Sequence, residues 1–259
     1  MSKILEKFKK NRLAVEIFSI AVLILAWWVI SLNFIPRVLP GPVLVFNLVI
    51  QNFTEGNAMF HLGRTLIRLL VGFFVGFGIG MGLGVLMGIR RFWGNFFGII
   101  TVIGLAFPSL VWAVLSVMWF GVSEMVAYIP ITLIIFPIVT VNIREGTKAV
   151  DKSLIEMAQA FRVNKLSIIR RVYIPMLMPY IMGTMRFAFS TAWKIVTITE
   201  VFGLTSGVGY MLAYWYHELY AAQVFAWALI FVIVVIFIEK FIFVQIDKKV
   251  FKWRPEAKL

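Results

Sequence analysis

Residues 156–175 read EMAQAFRVNKLSIIRRVYIP, a stretch with five charged side chains and a helical apolar stripe. It lies in a chain that is otherwise strongly apolar. Of 259 residues, 61% are hydrophobic and only 14% charged, with mean hydropathy +0.94; soluble domains carry roughly 25% charged residues. The composition is that of an integral membrane protein. A hydrocarbon core of about 30 Å takes ~20 apolar residues per helical span, which leads to six expected spans: 14–33, 66–88, 96–120, 125–143, 174–200 and 222–244. The chain, 1–259, is then a single all-α transmembrane domain with no room for a soluble catalytic one.

The placement of charge orients the spans. Of the 25 lysines and arginines, 20 fall in residues 1–13, at Arg90 and Arg91, in 144–171 and in 239–259, connections that alternate to one side. The opposite loops hold Arg37 alone. By the positive-inside rule both termini and the loop 144–173 face the cytoplasm. The net charge of +13 is therefore a topology signal, and a nucleic-acid partner is not expected.

Within the cytoplasmic loop, Ser153 and Glu156 have the S-x-x-E spacing of a capping box, and Leu154, Met157, Ala158 and Phe161 form one apolar stripe. Arg162, Val163 and Asn164 interrupt the pattern before a second helix begins at Leu166 and runs into the fifth span. Such an amphipathic helix can hold anionic lipid or a protein partner, and periodicity does not separate the two.

Several chemistries are excluded. With no cysteine there are no disulfides or thiolate sites, and no GxxxxGK[ST] loop is present to bind ATP. His61 and His217 have no HExxH-like partner, so no metal site is expected. No nucleophile and base pair or paired carboxylates mark a catalytic residue. The second span carries glycine at every fourth position from Gly72 to Gly88, one helical face suited to close helix packing, with Gly78 and Gly82 widening it. Arg186 and Lys194, about 80° apart around the fifth span, and Glu200 are costly in lipid; they read either as an interhelical salt bridge with snorkelling ends or as part of a substrate path.

The loop resembles the EAA loop of ATP-binding-cassette importer permeases. Glu156-Met157-Ala158 begins it and Val172-Tyr173-Ile174-Pro175 closes it, with Met157 in place of the first alanine and Arg162 at the glycine position. Since glycine is the residue that takes left-handed dihedrals freely, neighbouring Asn164 is the substitute expected to make the turn. FPSLVWAVLSVMWFGVSE (107–124), Val150-Asp151, RFAFSTAWK (186–194) and EVFGLTSGVGYML (200–212) are similar to the nitrate, sulfonate, taurine and thiamine-precursor branch of these permeases.

The resemblance implies a type I importer permease fold working as a pair with a second copy of itself. Separate ATPase subunits, which would carry ATP and Mg, engage a cytoplasmic coupling helix, and an extracytoplasmic solute-binding protein delivers the solute; this chain needs no cofactor. Glu156, Met157, Ala158, Phe161, Arg162 and Pro175 become the ATPase-coupling residues, with Glu156 capping and orienting the helix. Arg186, Trp193, Lys194, Glu200, Gly203 and Gly207 become candidates for the translocation path or gate. The solute would be a sulfonate, taurine or nitrate-like anion, or a thiamine-precursor-like nutrient. The alternative is a membrane scaffold or ion-driven carrier whose amphipathic helix binds lipid.

Overall fold

The computed structural model describes residues 12–246, and all the regular structure among them is helical. In chain order the helices are α1 (Arg12–Ser31), α2 (Pro42–Thr54), α3 (Ala58–Ile89), α4 (Arg91–Ala106), α5 (Ser109–Phe120), α6 (Met125–Lys148), α7 (Lys152–Ala160), α8 (Lys165–Ile168), α9 (Ile174–Gly203), α10 (Val208–His217) and α11 (Ala221–Ile238). Single π-helical turns, Ile169–Tyr173 and Glu239–Phe243, join α8 to α9 and extend α11. The chain divides into two compact units, one of the residues up to Met59 with Met211–Ile233, the other of Phe60–Tyr210 with the residues from Val234 onward.

Four helices are long and apolar enough to cross a membrane, and two bent pairs raise the number to six. The third expected span is one of those pairs. Instead of a single helix over 96–120, α4 and α5 meet at 92°. The break falls at Phe107-Pro108, both in extended conformation; proline has no N–H for the ladder, and its ring forces the preceding residue out of the helical region.

In the first unit, α2 begins with Pro42 in its first turn and buries Val45, Leu48 and Val49. Its buried Asn52 donates to Gln223 at 2.9 Å. Trp27 donates to the Pro40 carbonyl at 3.1 Å and stacks on Phe225. A buried amide without such a partner would cost a few kcal/mol, so Asn52 and Gln223 specify each other.

The second unit is organised around α6, against which α4, α5 and α9 pack. Its contact with α3 runs along the glycine face. A Cβ at Gly72 would stand 2.7 Å from Ile131 Cβ, one at Gly76 2.9 Å from the Thr132 carbonyl, one at Gly80 2.6 Å from the Phe136 carbonyl and one at Gly84 2.7 Å from Ile143 Cβ. Backbone touches backbone along four turns, and the absence of side chains is the condition for it. Gly78 and Gly82 do not widen this face: a Cβ at either meets nothing within 4 Å. They lie off the contact because a step of two residues turns 200° around a helix.

Replacing Gly80 with leucine is expected to cost at least ~1–3 kcal/mol through overpacking against α6, while the same change at Gly78 stays within about 0.5 kcal/mol. Thermal unfolding of the two variants in detergent checks this, and equal midpoints would refute the close-contact reading.

Candidate functional site

The basic segment and its surroundings occupy one end of α6 and α9; a buried ionic cluster occupies the other. At the basic end, α7 starts at Asp151, whose side chain accepts from the Ser153 N–H at 2.9 Å. Asp151, not Ser153, is therefore the N-cap. Counting from Asp151, the third helical position is Leu154, so Glu156 has no place in a capping box and stands exposed inside the helix. The Ser153 hydroxyl and amide hold the Asp151 carboxyl below its ordinary range, as hydrogen bonding to a carboxylate does.

At the other end of α7, Arg162 takes φ +54°. Its N–H donates to the Gln159 carbonyl at 2.8 Å and the Val163 N–H to Ala158 at 3.0 Å, the two bonds of a Schellman ending. The tight turn thus forms with arginine itself in the left-handed region. Asn164 is extended and caps α8 instead, accepting from the Ser167 N–H at 2.7 Å. Between these caps no residue of α7 is buried. Met157 is exposed, Phe161 is 78% exposed, and Ala158 is half-buried. An apolar stripe facing away from the chain's own core needs a partner.

Pro175 lies in the first turn of α9, directly after the π-helical turn. Proline cannot donate to the carbonyl four residues back and its ring crowds that group, a conflict that a widened turn relieves.

The opposite end holds Glu200, fully buried on α9, and Arg68, 2% exposed on α3. All five guanidinium donors of Arg68 are used: Nε to Glu124 Oε2 at 2.6 Å, Nη2 to Glu124 Oε1 at 2.9 Å and Ser206 Oγ at 2.8 Å, and Nη1 to Glu200 Oε1 at 3.0 Å and the Ser206 carbonyl. The Thr65 hydroxyl lies 2.9 Å from both Glu200 oxygens and accepts from the Val208 N–H, and the Gly209 N–H donates to Glu200 at 2.9 Å. His61 Nδ1 accepts from the Gly207 N–H at 3.0 Å. Arg64, 3.9 Å from Glu124, brings the cluster to two cations and two anions.

This network binds the chain reversal 204–207 to α3. Gly207 has φ +113°, and a Cβ there would overlap the Glu200 carboxylate, so only glycine closes the turn over the buried acid. Gly203 lets α9 end against Val117 and Val126, where a Cβ would collide with both.

The other path candidates scatter. Arg186 pairs with Glu239 at 2.8 Å and lies 5.9 Å from the Phe243 ring, the interhelical salt bridge. Trp193 is 2% exposed, edge-on to Phe189 in the core; a side chain so enclosed lines no surface of this chain. Lys194 alone is exposed, on a face of α9 shared with Gly183, Phe187 and Ser190. Sequence reasoning missed Arg68, Thr65, Glu124 and Ser206. A signal existed: Arg68 sits two turns inside an apolar helix, and such a charge demands an acidic partner from another span.

Removing one member leaves an uncompensated buried charge, so Arg68→Met is expected to cost about 3–5 kcal/mol, and Arg68→Met/Glu200→Met less than the sum of the single changes; denaturation of the three variants measures this. Glu124 supplies a pH test. The Arg68 guanidinium lowers its pKa from an ordinary 4.5, so its stabilisation is complete above that value and lost as pH falls through the depressed one. With Glu124 39% exposed, screening limits the effect to about 1 kcal/mol or less; stability curves of Glu124→Gln should flatten below pH 4.5.

Known proteins resemble this chain in sequence and in fold. The putative aliphatic sulfonates transport permease protein SsuC of Bacillus subtilis is 31% identical over 147 residues, 57% of this chain and 53% of that protein, so the match spans about half the relative's length. The taurine transport system permease protein TauC of Escherichia coli is 24% identical over 78% of this chain and 76% of its own. An inward-facing structure of the MetNI methionine ABC transporter aligns with a TM-score of 0.64 at 21% identity, covering 74% of this chain and 95% of that one, and so shares its fold. Residues 75–252 match the binding-protein-dependent transport system inner membrane component family, and the chain belongs to that family of multi-pass membrane permeases.

Proposed function

We propose that this chain is the permease subunit of an ATP-driven importer in which two copies enclose a path for a small organic anion of the sulfonate or taurine type. The observation that carries the reading is α7, a nine-residue helix capped at both ends that buries none of its residues within its own chain. Membership in a binding-protein-dependent family supports an ATPase partner at this helix and a solute-binding protein at the opposite end. The lysines and arginines of both termini and of the loop 144–173 support a cytoplasmic side for them.

In this reading Met157, Ala158 and Phe161 enter a groove on the ATPase, with Met157 adapting to its shape. The rigid caps make α7 a lever. Its motion passes through Arg162 and Pro175 to α9, and access alternates by rigid-body rocking, with ATP and Mg held on the partner subunits. The buried cluster anchors the far end of α9, so Glu200, Gly203 and Gly207 serve the gate as fixed points.

The names of the sulfonate and taurine relatives and the position of Lys194 support an anionic solute. Lys194 has no ion pair or hydrogen bond among the described residues and is exposed on a membrane-length helix. A lone ammonium facing lipid is costly, whereas one facing a wet path between two copies is solvated and attracts anions.

Ala158→Asp tests the coupling. The variant should insert into the membrane normally but fail to copurify with the ATPase, and retained association would overturn the assignment. Lys194→Gln should lower anion uptake by about tenfold or more, the worth of one charge-assisted hydrogen bond, with Lys194→Arg retaining most of it; vesicle uptake assays give both values.

A further inference from the structure

A second feature of the basic end lies apart from the exposed stripe of α7. Beneath α7 lies a cavity of about 470 Å³, walled by aliphatic side chains of α3, α6 and the α8–α9 helix. Ile155 and Gln159 of α7 form its roof, Met81 and Val85 one wall, and Leu177 another. Ile155 and Gln159, four residues apart, share one face of α7, and at 100° per residue that face is centred roughly 130° around the helix from the stripe of Leu154, Met157, Ala158 and Phe161. The widened π-helical turn contributes Ile169 and Tyr173. Ile89 and Ile174, 57% and 43% exposed, flank an opening to the outside.

One cation stands at the cavity itself: Lys165, exposed, is among its lining residues. Residues 144–173 hold seven lysines and arginines against Glu145, Asp151 and Glu156. The continuous helix from Lys165 to Gly203 is roughly 58 Å long at 1.5 Å per residue, well beyond a hydrocarbon core of about 30 Å. With the basic segment on the cytoplasmic side, the Lys165 end lies in the headgroup layer, and Leu177, roughly 18 Å further along the helix, lies deeper.

An apolar slot that opens beside a basic rim at that depth matches one molecule present at high concentration around any such protein. We infer that the cavity beneath α7 binds an acyl chain of one anionic phospholipid, with its phosphate at Lys165. Dispersion and apolar burial hold the chain, and the charged rim selects the headgroup. The occupied slot would support α7 from below, in the position from which its other face meets a partner. This inference is independent of the solute and of the ATPase, since it concerns lipid retained by the chain alone.

The test is native mass spectrometry of the full chain in detergent with phosphatidylglycerol or phosphatidylcholine of identical acyl chains. Wild type should retain one phosphatidylglycerol about tenfold more strongly than phosphatidylcholine. Lys165→Gln should remove the preference but keep residual binding of both, and Ile155→Trp, which fills the slot, should abolish both. Should Ile155→Trp not yield folded protein by size exclusion, Val85→Phe fills the same space from the opposite wall. Equal retention of the two lipids by wild type, or undiminished retention in the filled variant, overturns the proposal. Glycerol phosphate competing as well as the intact lipid overturns it too, by showing an anion site without a chain-binding slot.

Discussion

A guanidinium cannot be left bare among apolar helices, and the second unit is arranged so that Arg68 is not. Two acids, a hydroxyl and a carbonyl converge on its five donors, and they come from the start of α6, the end of α9 and the reversal after it, while Arg68 itself stands on α3. A network with every member satisfied gains from the low dielectric that makes a half-satisfied one so costly. It joins three helices and a loop at one end of the unit, and the glycine contact between α3 and α6 continues that connection along their length. With that end tied, the opposite end of α9 is where movement can enter.

The two ends therefore differ in physical character. One is internally complete, with charges paired and hydrogen bonds spent. The other is incomplete: α7 is well capped but displays apolar side chains outward, and a cavity lies beneath it. Incomplete surfaces at a rigid helix are what a docking element requires, because the energy withheld from the chain's own core is available to a partner. Pro108 lies at the bend between α4 and α5, and Pro175 follows the π-helical turn that leads α8 into α9, two points where the backbone ladder is interrupted.

Caps show how local rules compete. Ser153 has the spacing of a capping box, yet Asp151 precedes it with a stronger acceptor, and the helix starts there. Arg162 occupies a left-handed position that glycine would hold without strain, at a cost of about 1–2 kcal/mol. Two Schellman hydrogen bonds and the short span to the cap at Asn164 hold it there.

The all-helical membrane character, the separate helix in the basic loop and the glycine at every fourth position were legible along the chain, because each rests on periodicity or composition within one segment; α3 nonetheless begins at Ala58, well before the expected start at residue 66. Packing was needed to pair Glu200 with Arg68 and Arg186 with Glu239, to put Trp193 in the core, to bend α4 against α5 by 92° and to leave a cavity under α7. Partner choice among charges depends on which helices become neighbours, and residues 65, 68, 124, 200 and 206 carry no shared periodicity that would join them. In sequence one span, 96–120, runs across Pro108, whereas the folded chain breaks there and packs both halves, α4 and α5, against α6.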